Sequence, residues 1–185
     1  MEKTIDFYIG LKWFYLNCIC MLSFFENSIF FSMNVSMKKR YTNKELIYYR
    51  YFYQKTKVYP DHVIIMNNYL FFFVKNQDYF KAKLYLNSFR RNLASKVLII
   101  RAEKKLIKLL FGFFPDLYIH DIDFAICKHS GRINATIFFL SFEERGIAVG
   151  RNGEYIKAIN EIFEKHIIFQ DEVHSIKIKC EIIEL

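Results

Sequence analysis

The residues with the clearest chemical potential form a short glycine-flanked stretch, Gly150-Arg151-Asn152-Gly153. Three of the six glycines lie between positions 146 and 153, and such a cluster indicates positive φ angles or the close approach of another chain. A turn of this kind at a helix N-terminus offers backbone N–H groups and the positive end of the helix dipole, which suits phosphate. Arg151 adds a mobile cation, and Asn152 can cap or donate. The sequence therefore predicts a phosphate-binding turn.

The elements that position this turn follow from the spacing of apolar residues on either side of it. Stripes at helical spacing predict helices, and alternating apolar residues predict half-buried strands. Ser95 is a plausible N-cap for the first helix, and no internal sequence repeat is apparent. The predicted elements are a helix at 95–112, strands at 117–126 and 133–140, helices at 143–149 and 154–167, and a strand at 176–182.

This order, with its Gly-x-x-Gly turn between two helices, resembles the type II KH domain, whose GXXG loop clamps a nucleic-acid backbone. The resemblance implies an α+β fold with the order α-β-β-α-α-β and a three-stranded mixed sheet that carries helices on one face. The KH domain would span residues 95–185, and residues 1–94 would form an aromatic and basic N-terminal extension. The alternative is an ordinary α/β sandwich that contains a tight helical turn.

The stretch from Glu144 to Ile156 resembles a segment of universal small-subunit ribosomal protein three. Its sequence is Glu-Arg-Gly-Ile-Ala-Val-Gly-Arg-Asn-Gly-Glu-Tyr-Ile. Residues 176–185 are similar to the closing KH strand of that family. The resemblance implies a structural, RNA-binding subunit of a small ribosomal subunit, in the head near the messenger entry side. Its partners would be small-subunit rRNA, neighbouring ribosomal proteins and nearby messenger RNA. Three departures from the family are the absent proline after Glu144, the unrecognisable family start in residues 1–94, and the end of this sequence where the family's second domain should begin. Either a second chain carries that domain, and is then a further partner, or the domain has been lost.

The transcription factor NusA provides the alternative interpretation. That family also carries type II KH domains with GXXG loops, and its first KH domain resembles residues 115–139 faintly. NusA has tandem KH domains and an S1 domain, and this chain is too short for all of them. The alternative function is therefore a free-standing KH RNA-binding protein or a NusA-like transcription-associated factor.

The charge distribution points to a second group of RNA contacts. The net charge is +8, but residues 38–110 hold 17 basic and four acidic side chains, whereas residues 111–185 have a net charge of −4. Basic residues interleaved with Tyr and Phe over 38–55 can neutralise phosphates and stack on bases. The alternative is that compositional bias placed aromatic residues at any large apolar position. The predicted RNA-binding residues are Arg145, Gly150, Arg151, Asn152, Gly153 and Lys157 around the turn, and Lys38, Lys39, Arg40, Arg50, Arg90 and Arg91 in the basic segment.

Composition suggests where the chain is made. Phe, Tyr, Ile, Lys and Asn, which AT-rich codons encode, make up nearly half of the residues. This bias indicates an AT-rich genome such as that of an organelle, so we expect a mitochondrial protein, with a plastid as the alternative. An apolar run at 13–25 is shorter than the roughly 20 residues that cross a bilayer, and no transit peptide is recognisable.

The sequence shows no sign of catalysis or of a bound cofactor. It contains no nucleophile–base pair and no P-loop, so we expect a protein that is not an enzyme. Cys18 and Cys20 are too close together for a typical zinc knuckle, and Cys127 and Cys180 do not supply the second pair of such a site. We expect all four to be idle thiols, with no metal site.

Overall fold

The computed structural model describes residues 30, 32–127, 132–170 and 175–183. The apolar run at 13–25, with Cys18 and Cys20, lies outside the described residues. The described part is built of strands and helices in the order β1-α1-β2-β3-α2-α3-β4-α4-β5-β6-α5-α6-β7-β8. The strands are β1 Val35–Met37, β2 His62–Met66, β3 Tyr69–Val74, β4 Lys96–Arg101, β5 Asp121–Ile126, β6 Ile133–Phe139, β7 Ile167–Phe169 and β8 Ile176–Ile182. The α-helices are α1 Asn43–Thr56, α2 Tyr79–Lys83, α3 Leu86–Asn92, α4 Leu106–Phe113, α5 Phe142–Val149 and α6 Glu154–Lys165.

Two three-stranded sheets share one topology. In the first sheet β3 lies between antiparallel β2 and parallel β4, and in the second β6 lies between antiparallel β5 and parallel β8. Residues 43–101, the first unit, run α1-β2-β3-α2-α3-β4, and residues 106–182, the second unit, run α4-β5-β6-α5-α6-β8 apart from the short β7. The described chain therefore repeats one order of elements, although its sequence shows no repeat.

The first unit begins with local signals that the sequence contains. The Thr42 side chain caps α1 by accepting from the Glu45 backbone N–H, and the Glu45 carboxylate accepts from the Thr42 backbone N–H, which completes a capping box. The hairpin between β2 and β3 turns at Asn67, whose φ is +53°; asparagine tolerates this left-handed conformation better than most residues. This confirms the strand or hairpin that the apolar run around Asn67 and Asn68 predicts.

The two units stack as four layers, helices on sheet on helices on sheet. One face of the first sheet packs against α1, α2 and α3 through residues such as Phe52, Phe72 and Phe89. The opposite face, including Phe71 and Phe73, belongs to a second core shared with α4, α6 and the second sheet. All six residues of β3 are buried, because this strand is covered on both faces. The units therefore share a core.

Among the described residues, helices pack against only one face of the second sheet. Its inward side chains are buried, while alternate residues along β8, such as Lys177 and Lys179, are exposed. This alternation is expected of a strand that has one buried face and one solvent-exposed face. The predicted strands at 133–140 and 176–182 and the helices at 143–149 and 154–167 are confirmed within a few residues. The strand predicted from Leu117 begins only at Asp121.

The predicted helix at 95–112 is wrong in its first half. Residues Lys96–Arg101 form β4, which pairs in parallel with β3 from Tyr69↔Lys96 to Val74↔Arg101. Val97 and Ile99 face one core and Ile100 the other, so the run lacks the alternation that marks a half-buried strand. The helix itself begins at Leu106. The sequence-based boundary at 94/95 therefore separates β4 from the sheet to which it belongs.

The N-terminal part of the described chain is fastened to the second unit. β1 pairs antiparallel with β7, with Val35 opposite Phe169 and Met37 opposite Ile167. Phe30 and Met33 are buried in the core that the two units share. Within the described residues, none of the helices combines the length and apolar character needed to cross a membrane.

Candidate functional site

The Gly150–Gly153 loop joins α5 to α6 with an unusual backbone. Gly150 has φ +74° and ψ 169°, Asn152 has φ +53°, and Gly153 has φ +73°. The Gly150 N–H closes α5 by donating to the Gly146 carbonyl at 2.9 Å, and the Gly153 N–H donates to the Gly150 carbonyl at 3.0 Å. The loop is thus a tight single turn, in which the two glycines adopt conformations that other residues rarely take.

Close packing explains the first glycine better than the second. A Cβ on Gly150 would lie 2.7 Å from the Tyr155 Cβ and 3.1 Å from the Tyr155 N, so a larger residue would collide with the start of α6. A Cβ on Gly153 would lie 3.6 Å from the nearest atom, the Lys157 Cε, which is ordinary contact. Gly150 is therefore required by packing and conformation together, and Gly153 by conformation alone.

Tyr155 anchors the start of α6 beneath the loop. Its side chain is buried, and its hydroxyl donates a hydrogen bond to the Phe113 carbonyl at the end of α4. Burial raises the pKa of the Tyr155 hydroxyl, so it stays protonated as a donor. Gly153, the residue that caps α6, supplies no side-chain hydrogen bond to the first turn. The Glu154 N–H donates to the Arg151 carbonyl within the loop. No side-chain cap covers the rest of the first turn of α6.

Cations flank the loop in different ways. Arg151 is exposed, and so is Lys157, whose Nζ donates to the Asn152 carbonyl at 3.2 Å. Arg145 is only half-exposed, and its Nε donates to the Cys180 carbonyl on β8 at 3.0 Å. The structure thus brings Arg151 and Lys157 to the loop and directs the Nε of Arg145 to the neighbouring strand.

The outer edge of β8 is occupied by side chains from the two helices beside the loop. The Asn160 side chain accepts from the Ile178 N–H at 2.7 Å and donates to the Ile178 carbonyl at 3.0 Å. The Arg145 Nε donates to the carbonyl of Cys180, two residues after Ile178 on β8. These bonds satisfy backbone groups that an edge strand would otherwise present to a partner. They also hold α5 and α6 at a set distance from the sheet.

The basic residues predicted in residues 38–94 do not form one patch. Lys38, Lys39 and Arg40 are exposed between β1 and α1, where the Lys38 N–H donates to the His166 carbonyl just beyond the end of α6. The Gly150–Gly153 loop is at the other end of that 12-residue helix, about 18 Å away at 1.5 Å per residue. Arg50 is exposed on α1, in the outer helix layer.

Arg90 and Arg91 lie on α3, and Arg90 is placed near the loop. Arg90, Lys96 and Tyr155 line a cavity of about 450 Å³ between the two units. The Lys96 Nζ lies 3.5 Å from the Oε2 of Glu154, the first residue of α6. It also donates to the Tyr69 hydroxyl at 3.5 Å. Bonds to Tyr69 and then Glu154 raise the pKa of Lys96. Sequence analysis missed Lys96 because it placed this residue on a helix.

The two cysteines in the described chain show no sign of chemistry. Cys180 is buried under α5 and α6, and this burial raises the pKa of its thiol to about 12. Cys127 is half-buried at the end of β5. Among the described residues no three His, Cys, Asp or Glu side chains converge as a metal site would require.

Comparisons with known proteins show a likeness of fold only. No protein-family model matches the chain, and no curated protein matches it. The structure is similar to a solved structure titled "Crystal structure of APE1850", with a TM-score of 0.54 and 21% sequence identity. The match covers 75% of this chain and 100% of that chain. The described part of the chain is thus a mixed α+β fold with a counterpart among solved structures.

Proposed function

We propose that the protein binds single-stranded RNA and that the Gly150–Gly153 loop holds the RNA backbone, as in a type II KH domain. The observation that carries the proposal is the loop itself, with two glycines at positive φ, the first of them packed against Tyr155 with no room for a Cβ. At Gly153, where a Cβ would meet no atom closer than 3.6 Å, a phosphate can approach the backbone at the start of α6, whose helix dipole favours an anion.

The element order supports the KH interpretation. The second unit has the order α-β-β-α-α-β, and its strands lie in the order β5-β6-β8, with the first pair antiparallel and the second parallel. The glycine loop joins the two consecutive helices, α5 and α6, which is where a KH domain carries its GXXG loop.

Charge at the loop also favours a phosphate. Arg151 and Lys157 are exposed beside it, and the one carboxylate in the first turn of α6, Glu154, lies within 3.5 Å of the Lys96 Nζ. Pairing with Lys96 offsets the repulsion that Glu154 would exert on an incoming phosphate. The loop therefore keeps a positive balance, although residues 111–185 as a whole carry a net charge of −4.

Binding of a fluorescent single-stranded RNA tests the proposal by its anisotropy. Gly153→Asp places a carboxylate in the loop at a position with room for a Cβ, and we expect it to weaken binding at least about tenfold, or 1.4 kcal/mol. Arg151→Gln should weaken binding less and should flatten its dependence on salt. Gly146→Asp, which adds the same charge seven residues earlier, within α5 and in open space, is the matched control. Equal affinity of the Gly153→Asp and Gly146→Asp proteins would exclude the loop as the binding site.

The tandem of two units favours a free-standing KH protein or a NusA-like transcription-associated factor as the biological setting. Residues 43–101 have the same element order as residues 106–182, and tandem KH domains are a property of the NusA family rather than of an extension added to a ribosomal KH domain. Only Leu84 and Tyr85 separate the two consecutive helices of the first unit, so this unit lacks the two glycines of a GXXG loop.

A structural role in an organellar small ribosomal subunit is the second candidate, favoured by the match of Glu144–Ile156 to ribosomal protein three and by the basic segment at 38–110. In that setting the partners would be small-subunit rRNA, neighbouring ribosomal proteins and nearby messenger RNA, in a mitochondrion or plastid. Sedimentation separates the two settings. A ribosomal subunit protein stays with the small subunit through a high-salt wash, and a factor is released.

A further inference from the structure

A second cavity, of about 510 Å³, opens where the first unit meets the second. Its walls come from α2, from the end of β4 and from α4 with the residues that follow it. Gly112 lets α4 pack closely on β4, because a Cβ there would already lie 3.2 Å from the Ile100 Cγ2. The volume falls in the range of small-molecule sites, roughly 300–1,000 Å³.

The cavity exposes large aromatic surfaces. Phe80 on α2 is 69% exposed and Phe111 on α4 is 48% exposed, and both line it. Most Phe side chains of the described chain that carry a burial value are buried in the two cores, and Phe142, which is 81% exposed, lies outside this cavity. Exposed rings beside cations are the surfaces on which unpaired bases stack.

Arg101 supplies an unsatisfied donor in the same cavity. Its guanidinium lies 4.3 Å from the centre of the Tyr79 ring and 5.4 Å from that of Phe80, which holds it in place by cation–π contact. The Arg101 Nε is shielded from solvent and has no hydrogen-bond partner among the residues that the structure describes. A buried donor without a partner is costly, and an acceptor on a ligand would remove that cost.

The remaining charges of the cavity leave it slightly positive. Lys83 forms an ion pair with Asp116 at 3.0 Å, and Lys108 is exposed at the rim. Glu103 is the other carboxylate among the lining residues. With Arg101 the lining holds three cations and two carboxylates, which suits a ligand with one negative charge.

We propose that this cavity binds one nucleotide of the RNA strand whose backbone crosses the Gly150–Gly153 loop. The base stacks on the exposed rings of Phe80 and Phe111, and one of its acceptor atoms accepts a hydrogen bond from the Arg101 Nε. The phosphate lies beside Lys108. Phe114 in the cavity wall packs against Tyr155, with ring centres 6.1 Å apart, and Tyr155 also packs under Gly150, so this pair of rings links the two sites. The inference rests on the proposed function and adds a base site formed by both units.

The test uses the full chain and a single-stranded RNA of about ten nucleotides. Phe80→Ala and Phe111→Ala each should weaken binding about tenfold, since the loss of one stacked base costs 1–3 kcal/mol. Phe80→Tyr keeps a ring for stacking and should bind like the unmodified protein. Tyr59→Ala removes a 61%-exposed ring that lies outside the cavity and should have no effect. Photocrosslinking with 5-iodouridine in the RNA, followed by mass spectrometry, should mark Phe80 or Phe111.

The outcomes separate this inference from the proposed function. Normal binding by the Phe80→Ala and Phe111→Ala proteins, together with weak binding by the Gly153→Asp protein, overturns the cavity and leaves the loop standing. Weak binding by the Phe variants with normal binding by the Gly153→Asp protein supports the cavity and rejects the loop. Crosslinks that avoid both Phe80 and Phe111 overturn the cavity.

Discussion

Gly150 shows how one residue constrains both the fold and the proposed site. Its φ of +74° and ψ of 169° lie in a region that is essentially restricted to glycine, and the space that a side chain would need is filled by Tyr155. The Tyr155 hydroxyl in turn donates a hydrogen bond to the Phe113 carbonyl. A side chain at position 150 would therefore displace the start of α6, whose N–H groups are the proposed phosphate ligands.

A pair of alanine substitutions separates the two kinds of glycine. Gly150→Ala should reduce the free energy of unfolding by about 2–3 kcal/mol, because strained φ and steric overlap add. Gly146→Ala should increase it by about 0.5–1 kcal/mol, since Gly146 lies within α5 with no atom within 4 Å of a new Cβ. Urea denaturation measures both. Equal effects would mean that the loop relaxes freely and that its geometry constrains nothing.

Aromatic residues illustrate what composition could and could not indicate. Many of the Phe side chains fill the two cores, and Phe52, Phe71, Phe72 and Phe73 are completely buried. This distribution agrees with aromatic residues occupying large apolar positions wherever these occur. Phe80, Phe111 and Phe142 depart from it, and nothing in their sequence context distinguishes them from the buried ones.

At the scale of elements, the attachment of α6 to β8 determines the position of the loop. Asn160 makes two hydrogen bonds to Ile178 and a third to the Ile156 carbonyl at 2.9 Å. Without the Asn160 side chain, the backbone N–H and carbonyl of the buried Ile178 would lose these hydrogen-bond partners. The helix is therefore fixed to the sheet edge by one polar side chain in addition to its apolar face.

Asn160→Ala should lower the free energy of unfolding by about 1–3 kcal/mol, the cost of leaving buried backbone groups unpaired. Glu164→Ala, an exposed change on the next turn of α6, should stay within about 0.5 kcal/mol of the unmodified protein. Thermal unfolding of the two variants makes the comparison. Matching stabilities would show that the apolar face alone holds α6.

The elements near the glycine loop could be predicted from sequence, whereas β4 could not. The alternation of Ile176, Ile178 and Cys180 with exposed residues is a local signal that no distant contact overrides. The run at Val97–Ile100 is covered on both faces, and its environment depends on β3 and on helices from both units. A periodicity argument cannot see such long-range burial. For the same reason, neither the position of Lys96 beside Glu154 nor the cavity lined by Arg101 could be predicted from the sequence.

At the scale of the whole molecule, the two units share the larger of the two cores. Phe71 and Phe73 from the first sheet pack with Phe113 and Phe163 from the helices of the second unit. The helices between the sheets are therefore covered on both sides only when both units are present.

A fragment of residues 102–185 should consequently fail to fold on its own. Removal of the first sheet exposes the apolar side of α4 and α6, and the remaining core is too small to offset the entropy of chain ordering. We expect the full chain to unfold in one cooperative transition by circular dichroism and the fragment to show none. A fragment with a sharp transition would mean that the second unit is an independent domain.

The most direct measurement of the central claim is a titration of the isotope-labelled full chain with single-stranded RNA, followed through its amide resonances. The account predicts that the amides of Gly150, Arg151, Asn152 and Gly153 shift most, because these four residues form the loop on which the phosphate binds. Shifts confined to the exposed cations at 38–40 and on α1, with the loop amides unchanged, would contradict it.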